Sequence, residues 1–237
     1  MKRGMVSYRQ RIVAVAALIV CSGVLALAVP RLLSSCYALY PEVAYKKDQE
    51  TALTTDIYEK CISDLARALS WHQSAYDWQE QAFFYLKLFS LQPFQAHEKK
   101  RELLKNAQTA INQGLALSPV DPFGWFHLAT VNRLLQEPPA QVIGDLRLSL
   151  YSGRVEPELV MGRLAFSHRY YLDFNQDMQQ QWQKQLLLAW NFKGPELIRF
   201  VIQRPESKQL ALQAFVYSPD EADKFLHAIE IALKKYL

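Results

Sequence analysis

The sequence predicts an all-α protein, with an N-terminal transmembrane helix followed by an α-solenoid of stacked helical hairpins. Three observations predict it. Leu, Ala, Gln, Lys and Glu dominate the body, and these are strong helix formers. Only 8 glycines occur in 237 residues, too few for the tight turns of an all-β chain. Proline-led helix starts also recur, with Pro122 and Pro157 35 residues apart and Pro157 and Pro195 38 apart. A period in this range marks helical hairpins that bury their apolar faces only against their neighbours.

The chain is expected to divide into a basic tail (1–11), a membrane anchor (12–30), a juxtamembrane linker (31–52) and a helical domain (53–237). Between Arg11 and Arg31 lie 19 consecutive uncharged residues. As a helix they span about 28 Å, close to the hydrocarbon thickness of a bilayer. Lys2, Arg3, Arg9 and Arg11 precede the run. The positive-inside rule then keeps the N-terminus cytoplasmic and exports the body. Two other readings stay open. Ala26-Leu27-Ala28 offers a cleavage site for a signal peptide. Leu33-Ser34-Ser35-Cys36 resembles a lipobox that would acylate Cys36, although Arg31 interrupts its apolar approach. Tyr37, Tyr40 and Tyr45 suit either the membrane interface or packing on the first helix of the domain.

From residue 53 helices follow one another. Residues 55–70 carry Ile57, Cys61, Leu65 and Leu69 at four-residue spacing, a single apolar stripe. Residues 73–91 are aromatic around much of the helix, so they pack on more than one side. Pro93 breaks that helix, and a long amphipathic helix follows over 94–117. Asp121-Pro122 reads as an N-cap with proline at the first helical position. Pro138-Pro139 and Glu156-Pro157 open the next two helices. Residues 173–190 form another, and Pro195 starts a shorter one. Ser218-Pro219-Asp220-Glu221 reads as a capping box. The last helix aligns Ala222, Phe225, Ile229, Leu233 and Tyr236, with Lys234 and Lys235 suited to its C-terminal dipole.

Charge narrows the function. Of 27 basic residues five lie in residues 1–36, which hold no acid, leaving 22 against 23 acidic residues in the remainder. The body is close to neutral, and no nucleic-acid partner is expected. The basic run Lys99-Lys100-Arg101 sits between Glu98 and Glu102 and reads as a solvated face. The three cysteines have no metal-ligand spacing. A Cys36–Cys61 disulfide is left open for an exported body.

The most informative stretch is 107–129, the end of one helix, a proline-punctuated turn and the start of the next. Ala107, Ile111, Gly114 and Pro119, then Trp125, Leu128 and Ala129, have the spacing of a repeat junction. In this it resembles the tetratricopeptide-repeat (TPR) family, a scaffold of paired helices of about 34 residues. The resemblance is good across this junction. Elsewhere it degrades: Trp78, Ala82 and Tyr85 fit a first helix only with an insertion, and after Pro157 the period holds without the motif. Gly114 and Ala129 would let two backbones approach, with Ile111 and Trp125 filling the space beside them.

The resemblance implies partner binding on the face made by the first helix of each hairpin. That face would include Phe123, Phe126, Thr130 and Arg133, and from the preceding hairpin Tyr76, Gln79 and Phe83. Aromatic anchors and a carboxylate partner for Arg133 would carry recognition. No catalytic motif, cofactor or metal site is expected. His127 reads as a packing or surface residue. The cluster of His168, Arg169, Tyr170 and Tyr171 suits aromatic packing at the helix end ahead of binding an anion or a sugar. Glu80, deep in an aromatic helix, is the one acid expected to have a raised pKa.

The expected function is a non-enzymatic scaffold or adaptor for protein partners, anchored in a bacterial inner membrane with a periplasmic body. Two alternatives stand beside it: an accessory factor of polysaccharide assembly or export, and a structural subunit of a larger membrane complex. In the last, Ser22 and Gly23 would allow close packing of the span.

Overall fold

The computed structural model describes residues 8–48 and 50–236, of which the side chains of residues 9–11, 235 and 236 are not described. Most of the basic tail, and the Lys235 and Tyr236 side chains expected in the last helix, therefore lie outside the described residues. The described chain is all-α, with ten α-helices and one short 3-10 turn. It divides into two compact units between Leu117 and Ser118.

The first unit begins with α1 (Tyr8–Asp48), a single helix of 41 residues that runs through Pro30 and Pro41. It is long and apolar enough to cross a membrane. The linker expected over residues 31–52 is instead helical as far as Asp48. The physical reason is packing, since Ser34, Pro41, Ala44 and Asp48 are buried there and Ala44 joins a core of α2 (Thr55–Trp71) and α3 (Ala75–Leu91). Tyr45 sets its ring edge-on to Phe83 with centroids 4.7 Å apart, whereas Tyr37 and Tyr40 stay exposed.

A buried polar knot fixes the end of α1. The Tyr58 hydroxyl donates to Asp48, and Lys87 Nζ lies 2.6 Å from Asp48 Oδ2. Burial alone would raise the Asp48 pKa, but its bonds from Lys87 and Tyr58 outweigh it and hold the carboxyl below its ordinary value. The stripe expected on α2 is present, with Cys61, Leu65 and Leu69 buried. All three cysteines are free, Cys61 in the core and Cys36 exposed, so the Cys36–Cys61 bridge is absent.

Ser74 caps α3 by accepting from the Asp77 amide. The helix ends at Leu91, and Pro93 opens a turn before α4 (His97–Leu117), which starts three residues later than expected. Gly114 brings α4 close to α3. A Cβ there would come within 3.0 Å of Gln79 Nε2 and 3.3 Å of the Ala75 carbonyl oxygen.

In the second unit α5 (Pro122–Leu134), α6 (Pro139–Ser152) and α7 (Pro157–His168) each begin with proline at the N-terminal turn. Asp121 Oδ1 accepts from the Phe123 amide at 3.0 Å, as its capping role requires. A 3-10 turn (Tyr171–Asp173) then leads to α8 (Gln176–Gln203). Asn175 caps α8, so it starts later than residue 173. The helix start expected at Pro195 survives as a kink in α8, where Lys193 leaves helical geometry at φ −137° and ψ 36°.

The short α9 (Ser207–Ala214) was not legible in the sequence, and α10 (Pro219–Tyr236) closes the chain. The capping box expected at residues 218–221 does not form as such. Glu221 instead accepts from Trp190 Nε1 at 2.8 Å and from Lys224 at 2.7 Å, while the Ser218 amide donates to the Phe215 carbonyl. Trp182, Leu164, Leu186, Phe215, Phe225 and Ile229 share one core.

Candidate groove between α5 and α7

The groove is positioned by the ties that fix α5, α6 and α7. Trp125 Nε1 donates to the Pro119 carbonyl at 2.8 Å and locks the turn into α5. Ser149 Oγ donates to the Pro122 carbonyl at 2.7 Å, and Asn132 Nδ2 to Asp145 Oδ2 at 2.6 Å, so α6 holds both ends of α5. Arg163 of α7 is 1% exposed. Its guanidinium donates to the Ser149 carbonyl at 2.6 Å and the Gly153 carbonyl at 2.7 Å. These are carbonyls at the C-terminal end of α6, where a cation is favoured. Burial pushes the Arg163 pKa down to about 10, which still leaves it charged near neutral pH.

On the other side of α7, Phe126, Thr130 and Arg133 of α5 face Gly162, Ala165, Phe166 and Arg169 across a cavity of about 630 Å³. His168 and Arg204 complete the lining. Gly162 lets the Phe126 ring lie close against α7, since a Cβ there would stand 3.0 Å from Phe126 Cζ. Phe126 and Phe166 make an edge-to-face pair with centroids 6.0 Å apart. The Arg133 guanidinium carbon lies 5.5 Å from the Phe166 ring centre, and its buried Nε has no hydrogen-bond partner.

Arg204 stacks over Phe200 at 4.8 Å. His168 Nε2 lies 3.0 Å from Glu206 Oε1, while its buried Nδ1 has no partner. The hydrogen bond that Glu206 makes to its own backbone, followed by the one with His168, holds that carboxyl below its ordinary value. The lining therefore offers two aromatic rings among three guanidinium groups and one imidazole. No carboxylate lines it, and Glu206 beside it is matched to His168.

The residues expected to bind a partner are divided by this geometry. Phe126, Thr130 and Arg133 line the groove together. Phe123 lies outside that lining, 37% exposed. Tyr76, Gln79 and Phe83 belong to α3 in the first unit. There Phe83 packs on Tyr45 and Phe84, Gln79 lies against Gly114, and Tyr76 is exposed.

The packing residues divide in the same way. Ala107, Ile111 and Gly114 are buried in α4 of the first unit. Pro119, Trp125, Leu128 and Ala129 belong to the second, with Ala129 in its core. The close approach that Gly114 permits is to α3.

Sequence reasoning missed Gly162, Ala165, Phe166 and Arg204. The repeat period placed α7 correctly, but the motif that would mark its groove face is absent after Pro157. The cluster at the end of α7 separates by role. Tyr170 packs on Phe166 and Tyr171 on Trp182, while His168 and Arg169 face the groove. His127 is half-buried, and burial holds its pKa below the ordinary value.

Glu80 is 3% exposed in α3. Burial pushes its carboxyl up to about 7, and the Tyr76 hydroxyl alongside draws it only partly back. Neither Glu80 oxygen is paired in good hydrogen-bond geometry. No protein-family model matches the chain, and no curated protein matches it.

Proposed function

We propose that this protein is a membrane-anchored scaffold of TPR-like hairpins in a bacterial envelope complex, and that its α5–α7 groove takes an acidic peptide segment of a protein partner. In this reading α1 anchors the chain in the inner membrane and the body works in the periplasm. The protein does no chemistry of its own.

The observation that carries the reading is the lining of the groove. Arg133, Arg169 and Arg204 surround Phe126 and Phe166. Guanidinium groups select carboxylates through charge-assisted, bidentate hydrogen bonds. Unpartnered Arg133 Nε and His168 Nδ1 supply further polar positions in the wall. The apolar floor between the cations asks for an apolar or aromatic side chain at the same time. A peptide with acidic and apolar residues meets both demands.

The test is capture of partners by the full-length protein from mildly solubilised membranes, compared with Arg133→Ala/Arg169→Ala. The double variant is expected to lose at least one protein partner, by roughly tenfold or more for two charge-assisted contacts. That binding is also expected to weaken with salt. A variant that keeps every partner overturns the groove assignment. So does release of an acidic polysaccharide in place of a protein.

A further inference from the structure

From Leu25, within the membrane run, to its C-terminal end at Asp48, α1 has two faces. One is seated on the body through Ser34, Pro41, Ala44 and Asp48. The other bears Leu25, Val29, Leu32, Cys36, Leu39 and Val43, all exposed. Their spacing alternates four and three, which is a heptad seam in which Leu25, Leu32 and Leu39 take d positions and Val29, Cys36 and Val43 take a positions. Ser34, Pro41 and Asp48 then fall at f, on the far side of the helix.

The stripe begins inside the apolar run and continues past Arg31. Val43 lies about 20 Å beyond Pro30 along a helix rising 1.5 Å per residue, where lipid tails no longer cover it. Leu39 is nevertheless 62% exposed and Val43 57%. A contiguous apolar seam of this kind in water marks an interaction surface.

We propose that two copies of this chain pair in parallel through this seam of α1. Two copies inserted in one membrane with the same topology have parallel α1 helices. The charges beside the seam fit that arrangement. Glu42 occupies a g position and Lys47 the e position five residues on, which is the pair that forms between strands of a parallel two-stranded coil. Glu42 is partly exposed, with an intrahelical bond to Lys46 at 2.7 Å, and Lys47 is exposed. The two-fold axis makes the Glu42–Lys47 pair twice. It also brings Cys36 of one copy opposite Cys36 of the other. The pairing stands independently of the groove.

The experiment oxidises the full-length Cys21→Ser protein in its membranes with copper(II)–phenanthroline. Two Cys36 thiols lose two protons and two electrons to copper and form one S–S bond. A covalent dimer of twice the chain mass is expected, absent from Cys36→Ser. In a background of Cys21→Ser/Cys36→Ser, cysteines placed at Val29, Leu32, Leu39 and Val43 are expected to cross-link and one at Leu27 is not. Glu42→Lys is expected to cut the Cys36 dimer roughly fivefold, as two attractive pairs become repulsive, and adding Lys47→Glu restores it. Three results overturn the proposal: a chain that stays monomeric, equal cross-linking at Leu27, or an adduct whose mass shows a different protein.

Discussion

Glu80 is a carboxyl group placed where its charge is costly. It is 3% exposed, and burial raises its pKa from 4.5 to about 7. An acid whose folded pKa is raised binds more protons folded than unfolded across the interval between the two values. Stability therefore falls as pH rises through that interval, from about 4 to about 7, and the loss is complete above the folded pKa. The shift corresponds to on the order of 3 kcal/mol. Asp145, raised to about 6 by burial against the hydrogen bond from Asn132, adds to the same slope. Glu80→Gln keeps the shape and removes the charge. Its gain in stability over the natural chain is expected to be small at pH 4 and to grow to about 2 kcal/mol at pH 8, as read by urea unfolding in detergent. A gain that is flat with pH would show that the carboxyl is not the source. Arg163 is the contrasting case, because its burial is matched by the Ser149 and Gly153 carbonyls.

At the scale of the element, boundaries marked by proline were mostly legible and unmarked ones less so, with the ends at Leu91 and Leu117 as expected and the starts of α4 and α8 three residues late. Proline fixes φ and lacks an amide hydrogen, so Pro122, Pro139 and Pro157 announce first turns from sequence alone. The end of α5 lacks the glycine that would mark its turning residue. Gln136 adopts φ 62°, its amide donates to the Arg133 carbonyl at 3.1 Å, and the Glu137 amide to the Asn132 carbonyl at 2.9 Å. This is a Schellman end with glutamine where glycine is usual. Pro138-Pro139 two residues on bars the helix from continuing, but nothing local marks Gln136 as the residue that turns. Gln136→Gly removes the left-handed strain and is expected to stabilise the second unit by about 0.5–1 kcal/mol, read as a higher urea midpoint at unchanged slope. The same limit explains α1 and α9. The 31–48 segment has three tyrosines, two lysines and a proline beyond the apolar run, so composition suggests a linker, yet its buried side packs and continues the helix. Half of the groove was equally hidden. Phe126, Thr130 and Arg133 followed from the repeat face of α5, whereas Phe166 and Arg204 come from elements without a motif.

At the scale of the whole molecule, the sequence supports a division that its most conspicuous stretch obscures. Residues 107–129 read as one seam, but Leu117 and Ser118 belong to different units. Each unit uses its share of that stretch internally, Gly114 against α3 and Ala129 in the second core. The membrane sets a further requirement on the whole chain. The structure has one described helix suited to crossing a bilayer, and orientation is then decided by the charges at its ends. Lys2, Arg3, Arg9 and Arg11 lie in the eleven residues before the apolar run, while Arg31 is the one cation in the eleven residues after it. Four cations against one favour retention of the N-terminal side in the cytoplasm. An alkaline phosphatase fused after Leu237 is therefore expected to be active, and a fluorescent protein that matures only in the cytoplasm is expected to be dark at the same position. A membrane-impermeant maleimide added to the outer face of the inner membrane is expected to label a cysteine placed at the exposed Ser70 in a Cys21→Ser/Cys36→Ser background, and to spare the buried Cys61. A cytoplasmic reporter that lights up after Leu237 would reverse the topology, move the α5–α7 groove to the other compartment, and require its acidic partner to be sought there.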